Sequence, residues 1–189
     1  MFILASKSPR RTELLQTAKC RFRTEPGDAE EFAGDADPIE IAVANARLKA
    51  TAVAQKFPGE FVLGADTIVA LDGHIHYKPR DEADARRMLR TLAGRTHEVI
   101  TGIAFVKDDE CFTHAEVTCV TFDEMTDEEI AAYVAGGEPM DKSGSYALQG
   151  GAGIFIKKID GSYSNVVGLP LNAVKKLAAK AGVDLWGWP

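Results

Sequence analysis

Phe2-Ile3-Leu4-Ala5 runs straight into Ser6-Lys7-Ser8-Pro9-Arg10-Arg11. Four unbroken apolar residues read as a buried strand. Ser8 suits the cap position of a helix and Pro9 its first turn, and Leu14 and Leu15 supply an apolar face. The stretch is a strand turning tightly into a helix. Such a junction exposes N–H groups at the positive end of the helix dipole, where anions bind. Arg10 and Arg11 add planar forks that donate two hydrogen bonds at once, and Ser6 and Ser8 add hydroxyls. A solvated, capped helix start accounts for these residues equally well.

Outward from this junction, strands and helices alternate. Residues 21–24 form a short strand, followed by an acidic loop with Asp28, Glu30 and Glu31. Asp37-Pro38 opens a helix to about residue 55, with Ile39, Val43, Ala46, Ala50 and Val53 on one face. Residues 61–65 form a strand ending at Asp66; 67–71 are extended, and Asp72-Gly73 turns a hairpin back to residue 77. Residues 81–92 are an amphipathic helix, and 98–106 pair with 111–122 across Asp108-Asp109. Thr126 with Glu129 boxes a helix start. Residues 143–153 are rich in glycine and small side chains, as suits a loop beside a ligand. A strand over 153–159 and a helix from Pro170 to near Gly182 complete the chain. The order predicts an α/β fold: a mixed, elongated sheet flanked by helices, drawn out into two lobes. No linker divides it, so residues 1–189 are read as a single domain.

The composition is that of a globular protein, with 46% hydrophobic and 26% charged residues. A net charge of −6 argues against a protein that coats nucleic acid, although a few placed cations still suffice for a small phosphorylated ligand. Cys20, Cys111 and Cys119 are odd in number, widely spaced and form no CxxC, which argues against a disulfide framework or zinc site. The apolar start is shorter than a signal peptide requires, and no run of about 20 apolar residues spans a membrane. The expectation is a cytoplasmic protein with no nucleic-acid or membrane partner.

Several further residues carry possible chemistry. Asp66 ends an apolar strand, where a carboxylate is costly without a role; metal ligand, general base and turn-forming residue are all open. Lys49 and Lys78 read singly as surface lysines, but with the arginines they can neutralise a triphosphate. One charge pair at 4 Å is worth about 4 kcal/mol at an effective dielectric near 20. Glu31 and Asp66 together would suit Mg²⁺, which takes one or two carboxylates plus phosphate and water oxygens. Asp81-Glu82-Ala83-Asp84 spells a helicase motif, but no phosphate-binding GxxxxGK[ST] loop accompanies it, so it is a charged first helical turn. His74 and His76 read as a surface pair.

In this order, the segments resemble the Maf family of nucleotide pyrophosphatases. The likeness rests on residues 4–11, 63–69, 77–80, 94–99, 141–146 and the run from Gln149-Gly150 to Leu171, and so covers nearly the whole chain. The resemblance implies a cleft between two lobes, a homodimer, a divalent metal (Mg²⁺ or Mn²⁺), and cleavage between the α- and β-phosphates. By position, Asp66 looks like the family's proton acceptor and, with Glu31, its metal-binding acid. Arg10, Arg11, Lys49 and Lys78 look like its cationic phosphate binders, and Ser6 is read as substrate-binding with them. Arg10, Thr67 and Gln149 match the branch acting on dTTP and UTP, which the 7-methyl-GTP branch lacks. Gln149 has suitable chemistry, since an amide both donates to and accepts from a uracil or thymine edge. The same chemistry on 7-methyl-GTP or CTP, or a nucleotide-binding regulator of cell division without turnover, are the alternatives.

Overall fold

The structure is a computed structural model that describes residues 1–27, 29–34 and 36–187. Asp28 of the acidic loop lies outside the described residues, as do the last two positions of the expected domain. The elements follow in order as β1 (Phe2–Ala5), α1 (Pro9–Thr17), β2 (Phe22–Thr24), α2 (Pro38–Ala54), β3 (Val62–Leu71) and β4 (His74–His76). Then come α3 (Glu82–Leu92), β5 (Thr96–Lys107), β6 (Glu110–Phe122), α4 (Asp127–Ala135), β7 (Ile156–Asp160), α5 (Tyr163–Val167) and α6 (Leu171–Ala181).

The strands form one seven-stranded mixed sheet in the order β2-β1-β3-β5-β6-β7, with β4 also on β3. β5 covers one edge of β3 from Val62 to Ala70. The other edge is shared: β1 pairs with residues 62–64 and β4 with residues 69–71. Between them, around Asp66, the edge of β3 meets no strand among the described residues, and this gap is the floor of a cleft.

One face of the sheet is covered by α2. Its buried residues are Ile41, Ala42, Asn45, Ala46, Ala50, Val53 and Ala54, whereas Ile39 is exposed. The expected apolar face is thus rotated. Small residues decide which side packs, because the helix lies against glycines of the sheet. A Cβ on Gly64 would fall 2.2 Å from the Ala46 carbonyl oxygen, and one on Gly102 2.3 Å from that of Ala42.

The opposite face carries two apolar cores on one sheet. Leu63, Ala65, Ile103 and Phe105 pack with β1 and α6, while Val69, Leu71, Val99 and Phe122 pack with α3 and α4. Between them on this face stand Thr67 and Thr101, whose hydroxyls are 2.9 Å apart. Thr101 also donates to the Asn165 carbonyl at 3.2 Å. Two lobes joined through a polar seam on a continuous sheet are the outcome of the expected architecture.

Three local readings change. Ser8 makes no side-chain cap; its N–H instead donates to Ser6 Oγ at 3.1 Å. The expected strand from residue 153 begins at Ile156, because the glycine-rich residues 151–155 wind into a 3₁₀ turn that leaves Ile154 exposed and Phe155 buried. His76 is buried against the sheet and so does not form a surface pair with exposed His74.

Gly102→Ala tests the contact between α2 and the sheet. Overpacking against rigid backbone should cost about 3 kcal/mol, read as a lower urea midpoint with unchanged slope.

Candidate active site

The cleft encloses about 1140 Å³, at or above the roughly 300–1,000 Å³ of most small-molecule sites. Its lining joins the β1–α1 junction, the loop bearing Glu31, the open stretch of β3, one edge of α2, Tyr77 and Lys78 after β4, and residues 141–143, 146–148 and 166–168.

Asp66 lies in the middle of β3, and not at its end as the sequence suggested. Strand continuity is possible because α2 supplies partners for the carboxylate. Lys49 Nζ donates to Oδ1 at 2.6 Å and Asn45 Nδ2 to Oδ2 at 3.2 Å. Asn45 and Lys49 are four residues apart and so share a helix face. Lys49 Nζ also lies 2.8 Å from Glu31 Oε1. Two carboxylates therefore converge on one ammonium. Asn45 holds the Glu31 loop as well: its Oδ1 accepts the Phe32 amide at 2.7 Å, and its Nδ2 donates to the Phe32 carbonyl at 3.1 Å.

Arg11 spans the cleft wall. Its Nε donates to the Gly168 carbonyl at 2.7 Å, one terminal nitrogen to Thr67 Oγ1 at 3.0 Å and the other to Ser6 Oγ at 3.4 Å. Arg11 thus ties the first turn of α1 to the seam and to the loop before α6, and both terminal nitrogens keep a second N–H for a ligand. Burial lowers its pKa, the Asp66 carboxylate raises it, and the Arg10 charge lowers it again. Arg10 and Lys78 line the same cleft. So do Asp141 and Lys142, which pair with each other; the Lys142 ammonium and the Arg10 charge hold the Asp141 carboxyl below its ordinary value.

The other part of the lining is apolar, with Val69, Val99, Tyr146, Ala147, Leu148 and Val166. Gln149 is exposed and follows the last lining residue of its segment. The structure thus groups Ser6, Arg10, Arg11, Glu31, Lys49, Asp66, Thr67 and Lys78 around one cleft and leaves Gln149 at its rim. Sequence reading missed Asn45, Thr101 and Asn165. Asn45 carried a signal, being a polar residue among the small apolar residues of α2, one turn before Lys49. Thr101 and Asn165 carried none, since their partners come from distant strands.

A family profile described as "Maf-like protein" matches residues 1–181. The chain belongs to the Maf family. Among its Maf relatives, a protein named dTTP/UTP pyrophosphatase from Koribacter versatilis is 51% identical over 183 residues, covering 96% of this chain and 94% of that protein. One of the same name from Geotalea uraniireducens is 50% identical over 184 residues, covering 95% and 94%. The Ham1 protein of Staphylococcus aureus shares the fold with a TM-score of 0.53 at 13% identity, over 95% of this chain and 98% of that one.

Behind the apolar wall, His97 Nε2 and the Tyr146 hydroxyl are 2.7 Å apart, and His97 Nδ1 is buried without a hydrogen-bond partner among the described residues. Burial, aided by the charge of His76, pushes the His97 imidazole down to about 4. Unfolding releases it to its ordinary value of 6.5, so the unfolded chain binds the proton first as pH falls. The stability contributed by neutral His97 is complete above pH 6.5 and is lost progressively towards pH 4. The loss should be roughly 3 kcal/mol. Urea titrations across this window measure it, and His97→Gln should remove that share of the slope.

Proposed function

We propose that the protein hydrolyses dTTP and UTP to the nucleoside monophosphate and pyrophosphate. The observation that carries this reading is the carboxylate of Asp66 on the open edge of β3, faced by Lys49 and flanked by the cationic β1–α1 junction. The names of the relatives that match nearly the whole chain support the same substrate class.

The triphosphate lies against Arg10, Arg11, Lys49 and Lys78, with Ser6 and the first amides of α1 as further donors. These groups offset the charge that gathers on phosphate oxygens in the transition state. Water attacks the α-phosphorus in line, and Asp66 accepts its proton. The bond from that phosphorus to the bridging oxygen breaks, and the electron pair leaves with pyrophosphate. Asn45 and Lys49 orient the Asp66 carboxylate towards the attacking water. The base rests on the apolar wall by Tyr146, and Gln149 reads its edge.

The converging Glu31 and Asp66 carboxylates fit a hard divalent cation, Mg²⁺ or Mn²⁺, whose remaining ligands come from phosphate and water. Among the described residues no group of three or more His, Cys, Asp and Glu gathers. When bound it supplies Lewis-acid stabilisation of phosphate charge. No helix of the described residues is long and apolar enough to cross a membrane. A cytoplasmic homodimer acting on free nucleotides completes the reading.

Pyrophosphate release from a nucleotide panel with Mg²⁺ or Mn²⁺ tests it. Wild type should act on dTTP and UTP, and Asp66→Asn should lose about 10²- to 10⁴-fold in kcat while still binding nucleotide. Normal turnover by Asp66→Asn would remove Asp66 as the base. Tight binding without release from any nucleotide would replace the enzyme by a nucleotide-binding regulator.

A further inference from the structure

The segment bearing Gln149 is fastened at both ends by one pair of side chains. Tyr133, near the end of α4, donates its phenolic hydrogen to Glu138 Oε1 at 2.6 Å. The same phenolic oxygen accepts the Ala147 amide at 3.2 Å. Glu138 Oε2 accepts the Gly151 amide at 3.0 Å. Between these two amides the chain turns through Leu148, Gln149 and Gly150, closed by the Gly150 amide on the Ala147 carbonyl at 3.1 Å.

The clamp is tight on the glycine side. A Cβ on Gly150 would lie 2.3 Å from both carboxylate oxygens of Glu138. Burial and the Glu138 carboxylate push the Tyr133 phenol well above its ordinary value, which keeps it a donor. The Glu138 carbonyl also accepts Lys142 Nζ at 3.4 Å, so the same residue helps to set a cation of the cleft. Tyr133 and Glu138 themselves are not among the cleft-lining residues.

We propose that Tyr133 and Glu138 are positioning residues for specificity, holding the 147–151 turn so that Gln149 meets the pyrimidine edge. The proposal rests on Gln149 as the reader of the base. An amide distinguishes bases only when its donor and acceptor are held within about 0.5 Å of the matching geometry. A turn secured by a carboxylate and a phenol meets that demand; the same turn without them does not.

The test compares Tyr133→Phe, Glu138→Gln and Gly150→Ala with Gln149→Ala, measuring kcat and KM separately for dTTP, UTP and dCTP. Loss of one clamp bond should raise KM for dTTP and UTP about tenfold and leave kcat within about twofold. Preference over dCTP should fall to that of Gln149→Ala, and Tyr133→Phe should add nothing in a Gln149→Ala background. Amide exchange at Ala147 and Gly151, read without nucleotide, should accelerate in the clamp variants. Faster exchange with discrimination intact, in a protein where Gln149→Ala loses it, overturns the positioning role. Unchanged exchange overturns the clamp itself. Discrimination that survives Gln149→Ala, with faster exchange in the clamp variants, places the failure in the reading of Gln149.

Discussion

The approach of α2 to Gly64 and Gly102 is the constraint on which the site depends. With side chains at those two positions the helix would have to rise off the sheet. At the observed separation, Asn45 and Lys49 reach a carboxylate in the middle of β3, and one face of α2 supplies both the packing and the chemistry. A buried carboxylate within a strand is tolerable only with such partners. The same helix draws in the 31–32 loop through Asn45, so that Glu31 arrives beside Asp66 although 35 positions of chain separate them.

The second organising feature is the seam. Thr67, Thr101 and Asn165 interrupt an otherwise apolar face and divide it into two cores. Asn165 extends the network by donating to the Val99 carbonyl at 2.9 Å and to Thr118 Oγ1 at 3.0 Å. Arg11 joins it through Thr67 and Gly168. Thr67 carries this network to the cleft wall, and the arginine that meets a ligand there is already aligned by the protein.

Much of this was legible in the sequence because it is local. The strand-to-helix turn from β1 to α1 (its Ser8 cap apart), the Asp72-Gly73 turn, the Thr126–Glu129 capping box and the helix starting at Asp37-Pro38 depend on neighbours a few residues away, and these formed as read. The charged residues of the cleft stood out because charge near apolar runs is conspicuous. What was illegible depends on distant partners. β3 continues through Asp66 only because α2 serves it, and α2 turns its small residues inward only because glycines await them. The short helix α5, capped by Ser162 on the Asn165 amide at 3.3 Å, was hidden in a run that has no apolar period.

The gap in the edge of β3 has an architectural consequence. Because β3 and β5 belong to both sides of the cleft, the two halves have no joint at which the chain could be cut and each piece retain an intact sheet. Any opening of the cleft must be a twist or flexing of shared strands and cannot be the swing of one body on a tether. The halves are bound to a common inheritance: a change of ligand can be made in the loops around the gap, whereas exchanging one half for that of another protein would sever the strands that hold the floor together.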